Sequence, residues 1–381
     1  MTVKVSRNIQ MVDLVSQYER IKTEIDSAIQ EVIQSSRFIN GPAVKEFQAG
    51  LEKYLDVKHV IPCANGTDAL QIAMMALGLK RGDEVITSNF TFAATVETIA
   101  FLGLVPVLVD VDSNTFNIDI EEIEKAITPK TKAIIPVHLF GQCADIEPIL
   151  SLAKKHNLFV IEDTAQAIGA DYTFSNGDKK KAGTIGNIGT TSFFPSKNLG
   201  AYGDAGALFT NDDTIAKKCR MIVNHGQSTQ YYYEVLGVNS RLDSMQAAIL
   251  KVKLRYLDKY TAARNKAASY YDKAFTGNRK IKTPSRAKNS THVFHQYTLT
   301  LNGINRDKLK EHLTSKEIPS MVYYPVPLHS QKAYRNAVNE GKKYPVTDKL
   351  CASVISLPMH TELDEETLKY ISDSVLDFCK Q

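Results

Sequence analysis

A single lysine, Lys197, lies in the segment TSFFPSKNLGAYGDAGALF between Thr191 and Phe209, which contains no other cation. Its neighbours are small, aromatic and glycine residues, whereas exposed helices scatter their lysines among glutamates. An amine in such surroundings is partly desolvated, which lowers its pKa and makes it available as a nucleophile or a base. Lys197 is therefore the first candidate for chemistry.

Two polar residues end apolar runs that read as strands. Asp163 follows LFVI and begins the segment DTAQA. A carboxylate at a buried strand end needs a cation or strong donors to stay ionised, but a helix N-cap explains Asp163 equally well in isolation. His138 ends a strand in VHLFGQ; it can stack, donate a hydrogen bond or pack, and a lone histidine there is more often structural.

The segment Gly66-Thr67-Asp68 lies where a strand gives way to a helix. A helix N-terminus suits a phosphate, although this segment alone favours a glycine turn followed by a cap. Together, the lysine, the buried carboxylate and the helix end are what pyridoxal 5'-phosphate (PLP) requires. The amine forms the Schiff base, the carboxylate keeps the pyridinium nitrogen protonated, and the helix end binds the phosphate.

No His, Cys and carboxylate set has metal-ligand spacing, so we expect no metal.

The elements that must position these residues follow a regular order. The first two-thirds of the chain alternates Val- and Ile-rich runs with helical segments, which predicts an α/β fold with a mainly parallel sheet. Sites in such sheets gather beyond the carboxyl ends of the strands. A long helical stretch beginning near Asp243 is expected to link two domains. We predict an N-terminal arm and large domain over residues 1–255, and a small α+β domain over residues 256–381.

Composition restricts the partners. Of the 381 residues, 43% are hydrophobic and 23% are charged, which is typical of a soluble globular protein. The net charge of +4 is spread along the chain, and the cluster at residues 179–181 reads as a solvated loop tip, so we expect no nucleic-acid partner. The longest uncharged apolar run, Thr98 to Val109, is shorter than the roughly 20 residues that span a bilayer. Five cysteines without a CxxC pair indicate reduced, mostly buried thiols in a cytoplasmic protein.

Six segments, in this order and spacing, resemble the DegT/DnrJ/EryC1/StrS family of nucleotide-sugar aminotransferases: NGTDAL, TFAAT, IEDTAQAIGA, TTSFFPSKNLGAYGDAG, NHGQ and GVNSRLDSMQAAIL. The resemblance runs from Met11 to the C-terminal helix. It implies the aspartate-aminotransferase-like fold (PLP fold type I), a homodimer with shared active sites, and transfer of an amino group from glutamate to a keto sugar. The likeness is greatest to members that aminate C3 of a UDP-linked sugar in O-antigen synthesis.

The resemblance also implies roles around the cofactor. Lys197 matches the Schiff-base lysine and Asp163 the partner of the pyridinium nitrogen. Gln166 matches the residue that faces the phenolic oxygen, and Phe92 the aromatic residue stacked on the ring.

Further residues match the phosphate site of the family. Gly66 and Thr67 match its backbone cradle, and Ser192 adds a hydroxyl group. Asn239, in GVNSRLD, matches a phosphate ligand donated by the partner subunit.

Four residues match the substrate side: Arg241, Tyr323, Tyr324 and His329. Arg241 is a candidate for binding a substrate carboxylate or phosphate. Where several family members read His-Tyr-Pro, this chain has Tyr-Tyr-Pro at residues 323–325.

The same motifs bear on three alternatives to C3 amination: C4 amination, sugar dehydration and a non-catalytic regulatory role. The sequence NSRLD favours C3, since C4-aminating members often have Arg-Met there. Members that act as sugar dehydratases can replace the lysine by histidine, and Lys197 argues against that activity. A non-catalytic regulator is disfavoured because Lys197, Asp163 and Ser192 are all present.

Overall fold

The computed structural model describes residues 9–336 and 338–380. Its α-helices are α1 (Leu14–Ser35), α2 (Pro42–Leu55), α3 (Gly66–Ala76), α4 (Ala93–Phe101), α5 (Ile120–Ala126), α6 (Ile146–His156), α7 (Asp213–Ile222), α8 (Ser244–Leu254), α9 (Leu257–Phe275), α10 (Arg306–Ser315), α11 (Pro345–Ser353) and α12 (Glu365–Cys379). Its strands are β1 (His59–Cys63), β2 (Glu84–Ser88), β3 (Val105–Val109), β4 (Thr131–Ile135), β5 (Phe159–Asp163), β6 (Asp171–Thr173), β7 (Lys179–Lys181), β8 (Ile188–Ser192), β9 (Gly206–Thr210), β10 (Gln227–Thr229), β11 (Tyr232–Tyr233), β12 (Ile281–Lys282), β13 (Tyr297–Leu301) and β14 (Val354–Leu357).

Seven strands form one large sheet in the order β1-β9-β8-β5-β4-β2-β3. Neighbours from β3 through β2, β4 and β5 to β8 are parallel, and β9 is antiparallel to both β8 and β1. Six strands therefore point the same way, which confirms the predicted α/β fold with a mainly parallel sheet. Their carboxyl ends share one edge of the sheet.

Helices cover both faces of this sheet, as its apolar strands require. Val85 on β2 packs in a cluster with residues of α3, α4 and α7, whereas the next residue, Ile86, packs with residues of α5 and α6. Successive side chains of a strand point to opposite faces, so a continuous Val- and Ile-rich run fills both layers.

A smaller antiparallel sheet, β12-β13-β14, lies in the C-terminal part of the chain. It shares an apolar core with α10, α12 and the second half of α9. The helical stretch predicted from Asp243 is two helices rather than one. At the break, the side chains of Arg255 and Tyr256 both donate hydrogen bonds to Glu24 of α1. The domain boundary at residues 255/256 stays a prediction, and residues 1–8 of the predicted arm lie outside the described residues.

Two further expectations concern the surface and the thiols. The prediction that residues 179–181 form a loop tip is wrong, because they are strand β7 of a hairpin with β6, and Lys181 pairs with Asp171 at 2.8 Å. All five cysteines are free and buried, as expected. Within the described residues, none of the helices is long and apolar enough to cross a membrane.

Candidate active site

A cavity of about 740 Å³ opens at the carboxyl edge of the large sheet. It is lined by residues that follow β1, β2, β4, β5 and β8 and by residues of the C-terminal part of the chain. Nine of the twelve residues proposed from the sequence line it: Gly66, Thr67, Phe92, Asp163, Gln166, Ser192, Lys197, Tyr323 and Tyr324. Residues from five separate strand ends therefore meet in one place, as the topology requires.

Asp163 is the last residue of β5 and is buried at the cavity wall. Its carboxylate accepts hydrogen bonds from Thr95 Oγ1 at 2.9 Å and from the Ala165 amide at 3.1 Å. Burial raises its pKa, while these hydrogen bonds and the charge of Lys197 act in the opposite direction. The chain continues into turns at residues 165–169, so the helix N-cap alternative for Asp163 is wrong.

Glu162, the preceding residue, points to the other face of β5 and is completely buried. Its carboxylate accepts hydrogen bonds from His138 Nε2 at 2.9 Å and from the amides of Gly183, Ile185 and Gly186 at 2.6–2.9 Å. Burial alone would raise its pKa, but the donors outweigh burial and the pKa is lowered. His138 Nδ1 accepts a hydrogen bond from the Ala144 amide. Its Nε2 therefore carries the ring proton and donates the hydrogen bond that Glu162 accepts. His138 thus has the structural role, and the pair fixes β5 from behind the cavity.

Lys197 lies in a turn after β8 and is half-buried. Within the described part of the chain, its ammonium group has no hydrogen-bond partner. Burial lowers its pKa to about 8, and the negative charge of Asp163 acts in the opposite direction. An amine with this pKa holds or releases a proton near neutral pH, which is what a general base or a nucleophile needs.

The N-terminus of α3 forms another wall of the cavity. Asn65 caps the helix by accepting a hydrogen bond from the Asp68 amide at 2.8 Å. The amides of Gly66 and Thr67 lie in the first turn, where N–H groups lack acceptors within the helix. A Cβ atom at Gly66 would lie 2.6 Å from Cβ of Ser192, so only glycine lets the helix end approach the Ser192 hydroxyl this closely. Amides, helix dipole and hydroxyl together fit a phosphate group.

Aromatic and amide groups complete the cavity. Phe92 precedes α4, lines the cavity and is 59% exposed, so its aromatic side chain is available to a planar ligand. Gln166 accepts a hydrogen bond from the Phe140 amide at 2.8 Å and donates one to the Tyr324 hydroxyl at 3.1 Å. Tyr324 also packs edge-on against Phe90 in an apolar cluster that joins the two parts of the chain.

Three residues proposed from the sequence lie outside the cavity of this single chain. Asn239 is exposed and forms an isolated bridge with Asn224, and Arg241 is half-buried beside it. His329 instead contacts the side chain of Asn89, with 2.8 Å between its Nδ1 and the amide nitrogen. Their expected roles stay predictions.

The cavity also contains residues that the sequence analysis missed. Asn65 and Thr95 were identifiable, because Asn65 directly precedes the quoted glycine turn and Thr95 lies three residues after Phe92 on the same helical face. His295 and Gln296 lie about 100 residues beyond Lys197, and no local pattern marks them. In the described chain, no cluster of three or more His, Cys, Asp or Glu residues is suited to a metal ion.

A model of the DegT/DnrJ/EryC1/StrS aminotransferase family matches residues 19–376. The chain belongs to this family. It is 47% identical to the "UDP-2-acetamido-2-deoxy-3-oxo-D-glucuronate aminotransferase" of Pseudomonas aeruginosa, across 95% of this chain and 98% of that protein. It is 44% identical to the "UDP-N-acetyl-3-dehydro-alpha-D-glucosamine 3-aminotranferase" of Acidithiobacillus ferrooxidans, across 96% of each chain. It is 49% identical to the "Pleiotropic regulatory protein" of Geobacillus stearothermophilus, across 97% of this chain and 98% of that protein.

Solved structures of the DegT/DnrJ/EryC1/StrS family share the fold. A family aminotransferase from Brucella abortus superposes with a TM-score of 0.92 at 41% identity, covering 98% of this chain and all of that one. A Bacillus subtilis protein, ntda, solved with bound PMP, superposes with a TM-score of 0.87 at 31% identity, covering 97% of this chain and 83% of that one. The aspartate-aminotransferase-like fold is confirmed, and the chain is a PLP-dependent aminotransferase.

The pKa of Lys197 gives a testable pH dependence. The cofactor-free protein should capture PLP faster as the pH rises through about 8, because the free amine reacts and burial has lowered its pKa. Stopped-flow absorbance on both sides of that pH measures the capture rate, with Lys197→Ala as the variant that should not capture. A midpoint near the ordinary lysine value of 10.5 would contradict the desolvated environment.

Proposed function

We propose that the protein transfers an amino group from glutamate to the C3 keto group of a UDP-linked sugar, for the synthesis of a surface polysaccharide or glycoconjugate such as an O-antigen. The observation that carries the proposal is the meeting of Lys197, Asp163 and the α3 N-terminus in one cavity. The choice of sugar rests on two relatives, 47% and 44% identical, whose names specify 3-oxo or 3-dehydro UDP-sugars.

The cavity offers a partner for each part of PLP. Lys197 would supply the amine that binds PLP covalently, and Asp163 would pair with its ring nitrogen. The amides of Gly66 and Thr67, with the Ser192 hydroxyl, would hold its phosphate. Once bound, PLP supplies an electron sink for a carbanion next to the amino nitrogen.

Phe92 and Gln166 would orient the cofactor ring from its face and its edge. The exposed side chain of Phe92 would stack on the ring. The Gln166 amide, held in place by Phe140 and Tyr324, would face the phenolic oxygen.

Lys197 carries the proton transfer. At neutral pH its amine exchanges a proton readily, because its pKa of about 8 lies close to the working pH. Its Nζ would move the proton between the cofactor carbon and the substrate carbon, because Lys197 lines the cavity that would hold both.

We infer that the substrate lies between the α3 end of the cavity and the segment at residues 321–326. Tyr323 and Tyr324 line the cavity there and offer hydroxyl groups to a sugar. Arg241 and His329 lie outside the cavity of one chain, so we assign them to the outer part of the substrate site, where the nucleotide or a carboxylate binds.

We propose that the working unit is a two-fold homodimer, in which Asn239 reaches the PLP phosphate of the partner subunit. Asn239 is exposed and outside its own chain's cavity, yet Ser240 next to it is buried and accepts a hydrogen bond from the Ala64 amide near α3. The nearby hairpin β10–β11 and the segment directly after it expose Tyr231, Tyr232, Tyr233 and Leu236 by 61–89%. Large apolar side chains grouped on one surface favour burial against another chain.

We place the enzyme in the cytoplasm. Five buried, free cysteines fit a reducing compartment, and nucleotide sugars are the substrates that this proposal requires.

The function is tested by single turnover with a set of nucleotide sugars. Protein preloaded with pyridoxamine phosphate should convert 3-oxo UDP-sugars to amino sugars, followed by mass spectrometry, and should convert them faster than 4-oxo isomers. Lys197→Ala should produce no amino sugar, whereas Lys181→Ala, a lysine variant outside the cavity, should match the unmodified protein. Faster conversion of 4-oxo sugars would favour C4 amination, and no conversion of any sugar would favour a regulator.

The shared site is tested by mixing inactive variants. Lys197→Ala chains mixed with Asn239→Ala chains should regain about one quarter of normal activity, since half of the dimers are mixed and each has one complete site. Chain exchange is verified by mass spectrometry, and mixing without time for exchange is the control. Verified exchange without any gain in activity would mean that Asn239 does not act across the interface.

A further inference from the structure

His295 is a buried histidine with an unused ring nitrogen at the cavity. Its side chain is 5% exposed, it lines the cavity together with Lys197, and its Nδ1 has no hydrogen-bond partner in the described chain. A buried polar atom is normally paired, so an unpaired nitrogen of a residue that lines a cavity is available to a partner that arrives during function.

The backbone around His295 is held firmly. The preceding residue, Phe294, has a backbone φ of +46°, which residues other than glycine rarely adopt. The side chain of Arg264 donates to the Phe294 carbonyl at 3.0 Å, and that of Asn198, next to Lys197, donates to the Val293 carbonyl at 2.8 Å. A Cβ atom at Gly141 would lie 2.9 Å from the His295 amide, so glycine there permits a close approach. The ring is therefore directed by several elements rather than left to a flexible loop.

The charges around His295 keep its ring neutral. Burial lowers its pKa well below the ordinary value, and the cations of Lys197 and Arg264 lower it further. Arg264 lies on α9 and directs Nη1 at backbone carbonyls, whereas Lys197 faces the cavity, with Asp163 as the anion near it. On the far side of the ring, Nε2 lies 3.5 Å from the side-chain amide nitrogen of Gln296. If the Gln296 amide group is turned by 180°, its oxygen takes the place of the nitrogen and accepts a hydrogen bond from Nε2–H. With the proton on Nε2, the lone pair of Nδ1 can accept a hydrogen bond, and the Lys197 ammonium group is a cation close enough to affect the ring.

We propose that His295 is a positioning residue: rotation of the unbound Lys197 side chain away from the conformation described here brings its ammonium group to the neutral Nδ1, which accepts a hydrogen bond from it. The inference rests on the proposed role of Lys197. The flexible lysine side chain would otherwise sample many conformations after its release, and an acceptor on a rigid segment limits it to the direction from which it returns its proton. His295 forms no covalent bond in this account.

The structure gives the sign of the effect that tests this role. A neutral acceptor stabilises the charged form of Lys197, so removal of the acceptor should lower the pKa of Lys197. Packing alone would predict no such shift, and a cationic His295 would predict a shift in the opposite direction. Ionisation of PLP itself is common to all variants, so a difference between capture midpoints reports on Lys197.

Three variants separate these cases. His295→Leu removes both nitrogens, His295→Asn keeps an oxygen close to the position of Nδ1, and His295→Gln places its amide near that of Nε2. His295→Leu and His295→Gln should lower the midpoint of PLP capture by cofactor-free protein by about one unit and reduce kcat about tenfold, the scale of one hydrogen bond to a charged group. His295→Asn should keep the original midpoint and most of the kcat.

Thermal melting shows whether each variant is folded. The comparison needs two folded variants: His295→Asn, which keeps the acceptor, and either His295→Leu or His295→Gln, which removes it. An unchanged or raised midpoint in His295→Leu, or an Asn variant that behaves like the Leu variant, would overturn the proposal. If the unmodified protein converts no keto sugar, the proposed function fails, while the capture midpoints still decide the role of His295.

Discussion

The site depends on one electrostatic arrangement, a buried carboxylate beside a half-buried amine at the edge of a sheet. Burial raises the pKa of Asp163 and lowers that of Lys197, so desolvation pushes both groups toward their neutral forms. Each charge partly offsets that effect on the other, which leaves Lys197 with a pKa of about 8. A fully exposed pair would have ordinary pKa values, and a fully buried unpaired amine would lose its charge altogether.

The fold makes this arrangement possible because the two carboxylates at the end of β5 point to opposite faces of the strand. Asp163 faces the cavity, while Glu162 faces the opposite layer and is fully satisfied by His138 and three backbone amides. A buried carboxylate with that many donors is costly to move, since any shift leaves a charge or several N–H groups unpaired. The strand end that presents Asp163 is therefore rigid, and the turn with Lys197 follows the neighbouring strand β8.

The sequence predicted those parts of the structure whose cause is local. Alternating strand and helix patterns gave the parallel sheet, and the rule that sites lie at carboxyl ends of strands brought Lys197, Asp163 and Gly66 together. It did not predict the break between α8 and α9, because that break accompanies hydrogen bonds to Glu24, far away in the chain. His295 was missed for the same reason, since only tertiary packing through Arg264 and Asn198 directs it to the cavity.

The same limit applies between chains. Asn239 and Arg241 stand in a motif that the sequence makes easy to recognise, yet their side chains lie outside the cavity of the chain that carries them. A single chain brings Lys197, Asp163 and the α3 N-terminus together, whereas the proposed phosphate contact of Asn239 and the outer substrate side depend on the proposed dimer. Recognition of the sugar is thus the part of the function that one chain specifies least.

The central claim is that the buried Asp163 keeps a proton on the ring nitrogen of bound PLP. The 15N NMR chemical shift of PLP labelled at that nitrogen measures the protonation state directly in the intact enzyme. The account predicts the shift of a protonated pyridine nitrogen in the unmodified protein and that of an unprotonated nitrogen in Asp163→Asn. An unprotonated nitrogen in the unmodified protein would contradict the account.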